Sequence, residues 1–217
     1  REVTQRDDDL RTPQEIKEHK AVEAAMLEEL QTWAKLNCFR RKKREVARDI
    51  IDTRWVVRWK WEHDAVDVDA SIGGRGSAET NGKSGAKRTI RARLTVRGFK
   101  DHDRNDIDRY AGTSSRSSQK VLVSEAVLRG WDIATADISK AFLQGVTYKE
   151  LAELTGDKVR EVNFYLPNSN ISLLRQVPGF EDFNPQLEVL HCDKPGTGLV
   201  DAPRAFSIKL SMTTREK

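Results

Sequence analysis

Cysteine is nearly absent from this sequence. Its 217 residues include only Cys38 and Cys192, which form no C-x-x-C pair, and the four histidines (His19, His63, His102, His191) are scattered. Zinc sites need several such ligands at short spacing, so this set argues against one, and two isolated thiols read as those of a reduced intracellular protein. Long apolar runs are missing as well. Nothing approaches the ~20 apolar residues that span a bilayer, and no apolar signal region opens the chain, so no membrane partner is expected and the expected location is cytoplasmic or nuclear. Nor is there a large excess of one charge: 38 Lys and Arg against 34 Asp and Glu leave +4, so what matters is whether the basic residues cluster. Internal repeats are absent too. The triplet Asn170-Ile171-Ser172 matches a glycosylation acceptor but, without a secretion signal, reads as chance.

What is there is one substantial core's worth of chain, 37% hydrophobic and 33% charged. Residues 1–11 are charged and aperiodic, a loose tail. Thr12-Pro13-Gln14-Glu15 then carries helix-start chemistry: a capping hydroxyl, proline at the first helical position and a glutamate that reaches back to complete a capping box. Val22, Met26, Leu30 and Trp33 follow at helical spacing, with Glu and Lys on the other side, which predicts one amphipathic helix packed on a core. The run Arg40-Arg41-Lys42-Lys43-Arg44 has three readings: a solvated face, a phosphate contact or a nuclear localisation signal.

Two segments then alternate with period two. Trp55, Val57, Trp59 and Trp61 oppose Arg54, Val56, Arg58 and Lys60; Ile90, Ala92, Leu94 and Val96 oppose Thr89, Arg91, Arg93, Thr95 and Arg97. That is the signature of a sheet with one buried face, and its exposed face would be a basic strip suited to phosphates. Between them, His63–Lys87 is rich in Gly and Ser and reads as a flexible hairpin insertion. Its Gly82-Lys83-Ser84 is not a P-loop, because Ser77 stands where that motif needs its first glycine. Ser117–Arg129 predicts a short helix stopped by Gly130, Trp131–Ala136 a strand ending at Asp137, and Leu166–Pro185 largely loop.

An aspartate at a strand end, five residues before an aromatic, has a use in nucleotide addition by two metal ions. Carboxylates on rigid strands hold the ions, and the aromatic packs under the incoming sugar and excludes a 2′-hydroxyl. The same residues also fit a helix cap at Asp137 and a core Phe142. The surrounding blocks bear on the choice. Gly130 to Gly145, with Asp137-Ile138-Ser139-Lys140-Ala141-Phe142-Leu143-Gln144-Gly145, resembles a segment of copia-type retrotransposon reverse transcriptases that reads D-(V/I)-x-x-A-F-L-x-G. Ala25-Met26-x-x-Glu29-Leu30 looks like that family's opening helix, and Trp55-Val56-Val57-Arg58-x-Lys60 is similar to its K-W-V-x-K-x-K strand. Arg91–Phe99 is similar to K-A-R-L-V-A-x-G-F, Val177-Pro178-Gly179-Phe180 to its Pro-Gly loop before a Phe, and Gly198–Phe206 to Y-G-L-K-Q-x-P-R-x-W. The blocks fall in the family's order across about residues 25–210.

The resemblance implies an α+β fold: the fingers and partial palm of a right-hand polymerase over residues 12–217, an antiparallel sheet with packed helices. It implies RNA-directed DNA polymerase chemistry on an RNA or DNA template-primer and dNTPs with two Mg²⁺ ions, within a longer Pol polyprotein. Carried over by position, Asp137 is the first metal-binding aspartate, the backbone of Ile138 helps hold the second ion, and Phe142 is the sugar gate. Lys60 and Arg93 grip the triphosphate, with Arg58 or Arg91 as alternatives in another register. Arg91, Arg97 and Arg204 meet nucleic acid. The departures have consequences. No paired-aspartate motif follows before Lys217, so the chain is expected to be truncated ahead of it and not to polymerise alone. Asp201 replaces a glutamine, putting negative charge where triphosphate would approach, Thr197 replaces a tyrosine, and Val66–Ala86 is an insertion. The competing reading is an inactive remnant acting at most as a nucleic-acid-binding module. On either, a palm sheet lacking its later strands exposes an unpaired edge and apolar surface.

Overall fold

The computed structural model describes residues 20–62 and 87–215, with the outermost hairpin residues 60–62, 87 and 88 described by backbone alone. The expected tail at 1–11, the helix start at Thr12–Glu15, nearly all of the 63–87 insertion and the side chain of Lys60 lie outside those residues; Lys87 itself opens a strand.

The first described helix, α1 (Lys20–Lys35), buries Val22, Met26, Leu30 and Trp33, the apolar stripe its spacing predicts. It also buries Glu29, which the stripe does not predict. The helix ends where Asn37 adopts a left-handed backbone, φ 51°, and Cys38 N–H reaches back to the Trp33 carbonyl. Five strands follow: β1 (Phe39–Lys43), β2 (Ile50–Glu62), β3 (Lys87–Val96), β4 (Asn163–Tyr165) and β5 (Glu188–Cys192). Their spatial order is β1-β5-β4-β2-β3. The expectation of an antiparallel sheet is corrected to a mixed one: β2 and β4 run parallel, Ile50 opposite Asn163, while the other three pairings are antiparallel. A parallel pair needs a long crossover, and here the chain between β2 and β4 includes the β3 hairpin arm and two helices. The fold is therefore α+β around a five-stranded mixed sheet.

Helix α2 (Arg116–Arg129) is capped by Ser115, whose hydroxyl accepts from Ser118 N–H, and stops at Gly130 at φ 66°. Helix α3 (Tyr148–Thr155) opens on a capping box between Thr147 and Glu150. A single turn, α4 (Ile171–Leu174), interrupts the expected loop at 166–185, and α5 (Ala202–Arg215) closes the described chain. The core joins α1 to the sheet through aromatic edges: Phe39 stands 5.8 Å from Phe164 and 5.2 Å from Phe180, and Trp33 6.0 Å from Phe164, ring centre to ring centre.

One expectation is overturned. Trp131–Ala136 is not a strand; it carries no regular structure, pairs with no strand and is exposed. A strand persists only where its N–H and C=O groups find a ladder, and no described strand lies beside this segment. The basic run at 40–44 is met by acids: Arg40 by Asp193 (2.8 Å), Arg41 by Glu188 (2.9 Å) and Asp182, Lys42 by Glu161 (2.6 Å), Lys43 by Glu45 (3.8 Å). These pairs tie β1 to its neighbours, so most of its cationic charge is spoken for within the chain.

Candidate functional site

Strands β2 and β3 form a long antiparallel hairpin in which Val57 faces Ala92 and Trp55 faces Leu94 on the buried side. The alternation then puts Arg54, Val56 and Arg58 on the other side, opposite Thr95, Arg93 and Arg91. Arg91 and Arg93 are exposed, and among the described residues neither meets an acid. Arg97, at the base of the hairpin, does: it donates to Asp52 at 2.7 Å, with Lys100 on the same carboxylate at 2.9 Å, and its guanidinium stacks 4.8 Å from the Phe99 ring. Burial alone would raise the Asp52 carboxyl, but the hydrogen bonds from Lys100 and Arg97 hold it below the ordinary value.

The segment from Gly130 to Gly145 reaches this hairpin as a turn rather than a strand end. Asp137 lies in the exposed stretch before Lys140, which takes a left-handed backbone (φ 53°, ψ 35°) and starts a 3₁₀ turn over Ala141–Gln144. Leu143 plugs the turn into the core, its N–H on the Lys140 carbonyl (2.9 Å) and its own carbonyl accepting from the Cys38 thiol (3.5 Å). Gly145 is packed tightly against Ala205 of α5, so a Cβ there would need its neighbours to give way slightly. The result is a cavity of about 380 Å³ whose walls include Asp137, Ile138, Phe142, Arg91, Arg93 and Thr197. It shares Arg91, Arg93 and Thr197 with a groove of about 490 Å³ along the outer hairpin face, which is also lined by Val56, Arg58 and Trp59. Ile138 and Phe142 keep 40% and 41% of their surface exposed, which removes the reading of Phe142 as a core residue.

A third stretch reaches the site through Thr197. The Thr197 carbonyl accepts from Val96 N–H at 2.9 Å. Gly98 lies against the Gly198 backbone, and Gly198, at φ +99°, against the Val96 carbonyl, so a Cβ at either glycine would collide with main chain. A Cβ at Gly196 would enter the Trp33 ring. Three stretches far apart in sequence, 91–98, 137–145 and 196–199, are thus locked together at the cavity.

Of the residues singled out from sequence, the structure gathers Asp137, Ile138, Phe142, Arg91 and Arg93. Arg97 sits at the hairpin base on Asp52, and Arg204 lies elsewhere, between Asp108 (3.3 Å) and Asp157 (3.5 Å) in a separate cavity of about 630 Å³. Asp201 is also displaced from its expected position. It is buried and paired with Arg160, which bonds Asp101 as well, so its charge does not face the Asp137 cavity. Sequence reasoning missed Glu29 and Lys140, which share an ion pair on the cavity wall. The one available signal was a glutamate beside the apolar stripe of α1.

The expectation is two Mg²⁺ ions in the complete enzyme, with the site incomplete in this chain and Asp137 its first ligand. Among the described residues no group of three or more His, Cys, Asp or Glu could hold a metal ion, and Glu29, the other carboxylate on the cavity wall, is tied to Lys140 and Trp33. Among the described residues no helix is long and apolar enough to cross a membrane. No protein-family model, curated protein or solved structure matches the chain.

Proposed function

We propose that this chain is the fingers and first part of the palm of a copia-type retrotransposon reverse transcriptase, with the Asp137 cavity as the seat of an incoming dNTP and the basic hairpin face as a nucleic-acid contact. The observation that carries this reading is the convergence of three blocks of the family resemblance on one cavity. Asp137, Phe142, Arg91, Arg93 and Thr197 all line it, and Gly198 packs against Val96 and Gly98 beside it. A carboxylate, an exposed ring and two guanidinium groups without acidic partners among the described residues are the donor set a nucleoside triphosphate calls for: cations for the phosphates, an apolar face for the sugar and a carboxylate for a metal-bound phosphate. In this reading the further carboxylates of a two-metal site come from outside the described residues, as part of a longer Pol polyprotein. The second reading, a nucleic-acid-binding remnant, is favoured by the lack of a carboxylate cluster beside Asp137 among the described residues.

A primer-extension assay with Mg²⁺, dNTPs and an RNA template, run beside measurements of dTTP and oligonucleotide binding, tests both. The expected outcome is no extension by the chain or by Asp137→Ala, with binding of both ligands weakened in Arg91→Ala/Arg93→Ala. Extension that disappears in Asp137→Ala would overturn the incomplete-site argument. Oligonucleotide binding without dTTP binding would favour the remnant, and binding of neither would remove the polymerase reading.

A further inference from the structure

Glu29 stands on the apolar face of α1 and is 2% exposed, a position where an unpaired carboxylate is not tolerated. Two donors satisfy it. Trp33 Nε1–H donates to Oε1 at 3.1 Å from one turn along the helix, and Lys140 Nζ donates to Oε2 from the turn that carries Asp137 and Phe142. Lys140 is itself anomalous. It holds a left-handed backbone without being glycine, and it caps the Ala141–Gln144 turn with no side-chain hydrogen bond to the turn's N–H groups. Such a conformation persists when the surroundings over-determine it, and two described contacts act on it: the buried Leu143, whose N–H meets the Lys140 carbonyl, and the ion pair to Glu29. The pair also forms part of the partition between the Asp137 cavity and a neighbouring one of about 360 Å³, since both residues line both. Because Lys140 is neutralised by Glu29, the charges left facing the Asp137 cavity are Arg91, Arg93 and Asp137.

We infer that Glu29 and Lys140 are a positioning pair: their ion pair fixes the 137–142 turn to α1 and so sets where Asp137 and Phe142 stand relative to Arg91 and Arg93. The positional claim stands on geometry; its consequence for dTTP rests on the nucleotide reading proposed above.

The test uses the full chain and two readouts. The first is hydrogen exchange without ligand, read at the Leu143 amide, which donates to the Lys140 carbonyl, and compared with amides of β4 and β5. Glu29→Gln keeps an acceptor for Trp33 but drops the charge, and Glu29→Gln/Lys140→Met leaves no buried charge, so both guard against simple unfolding. In each, exchange at Leu143 should quicken by roughly tenfold or more while β4 and β5 hold. Lys140→Gly suits the left-handed backbone but lacks the ammonium; it should quicken exchange at Leu143 as the other variants do, whereas Lys140→Arg, which keeps the charge, should hold the parent's protection. The second readout is dTTP affinity in Mg²⁺, expected to fall in the same variants and to recover with Lys140→Arg. Unchanged exchange at Leu143, or exchange raised equally in β4 and β5, would overturn the positioning role. A chain that binds no dTTP while the Leu143 result holds would instead remove the nucleotide reading and leave the pair intact.

Discussion

Arg160 carries the heaviest electrostatic duty of any single described residue in the fold. Its guanidinium bonds Asp101 and Asp201, both essentially sealed from solvent, and it lies 5.5 Å over the Tyr148 ring. Removing it would strand two buried carboxylates, so Arg160→Met is expected to destabilise the chain by about 3–5 kcal/mol at neutral pH. The destabilisation should shrink in acid as the Asp201 carboxyl, raised by burial, protonates, which urea melts at two pH values would reveal. The carboxylates of this protein also pull in opposite directions with pH. Burial pushes the Asp201 carboxyl above its ordinary 3.8, so the folded state holds that proton more firmly than the unfolded one. Stability from this group therefore falls as pH rises from 3.8 through the higher folded value, and Asp201→Asn should flatten that fall. Glu161 behaves oppositely. The hydrogen bond from Lys42, with help from the Arg48 N–H, holds its pKa down at about 2, so its stabilisation is present above 4.5 and lost as pH drops from 4.5 through about 2. Glu161→Gln should be the weaker protein at neutral pH and should converge on the parent near pH 2. Thermal melts across that window check both signs.

At the scale of elements, the β2–β3 hairpin separates two kinds of arginine that look alike in sequence. Arg91 and Arg93 point away from the core with no acid beside them among the described residues, while Arg97 is bound to Asp52. Every phosphate that a protein ceases to neutralise lowers the slope of log affinity against log salt by about 0.7–0.9, so Arg91→Ala/Arg93→Ala should flatten it by up to twice that. Arg97→Ala should leave the slope alone and cost stability instead; an equal flattening would mean that the Asp52 pair opens on binding. The hairpin was legible because period-two alternation over two long runs has a single solution, one face in and one out. The stripe of α1 was legible for the same reason. Other elements were not. The short strands β1, β4 and β5 are too brief for a period to show, and Arg and Lys in β1 are held by acids distant in sequence, such as Asp182 and Glu188. Helix α3 could have been found, since Thr147-x-x-Glu150 is a capping box, but its apolar residues are few. The segment at 131–136 has a strand's composition and no ladder to join, a fact that lies in the rest of the sheet. At the site, Asp137, Phe142 and the arginines were readable from residue type and spacing. The Glu29–Lys140 pair was not, because it joins residues 111 positions apart and contradicts the polar face expected of Glu29.

Taken whole, the molecule has one well-packed body and one poorly covered flank. The body runs from α1 through the sheet to the Phe39, Phe164 and Phe180 cluster. The flank is α2 and the exposed segment after it. Of the helix only Ala126 is buried, while Val127 and Leu128 are 74% and 81% exposed and Trp131, next along the chain, 54%. Propensity and caps alone rarely hold a helix of this length; most helical stability in proteins comes from packing of an apolar face. The Ser115 cap, the Gly130 stop, the Arg129–Glu125 ion pair one turn apart and the Arg129 guanidinium over the Trp131 ring (5.1 Å) are local forces acting here, together worth only a few kcal/mol. Two consequences follow from that imbalance. Amides of α2 should exchange much faster than those of β2 and β5 in the same chain, since local opening of α2 exposes almost no new apolar surface. An apolar dye such as ANS should bind the folded protein at this flank. Val127→Lys/Leu128→Lys should reduce the dye signal with almost no change in melting temperature, because neither side chain has packing to lose. A large fall in melting temperature would mean that both side chains are covered in solution, and that the flank is not the open surface described here.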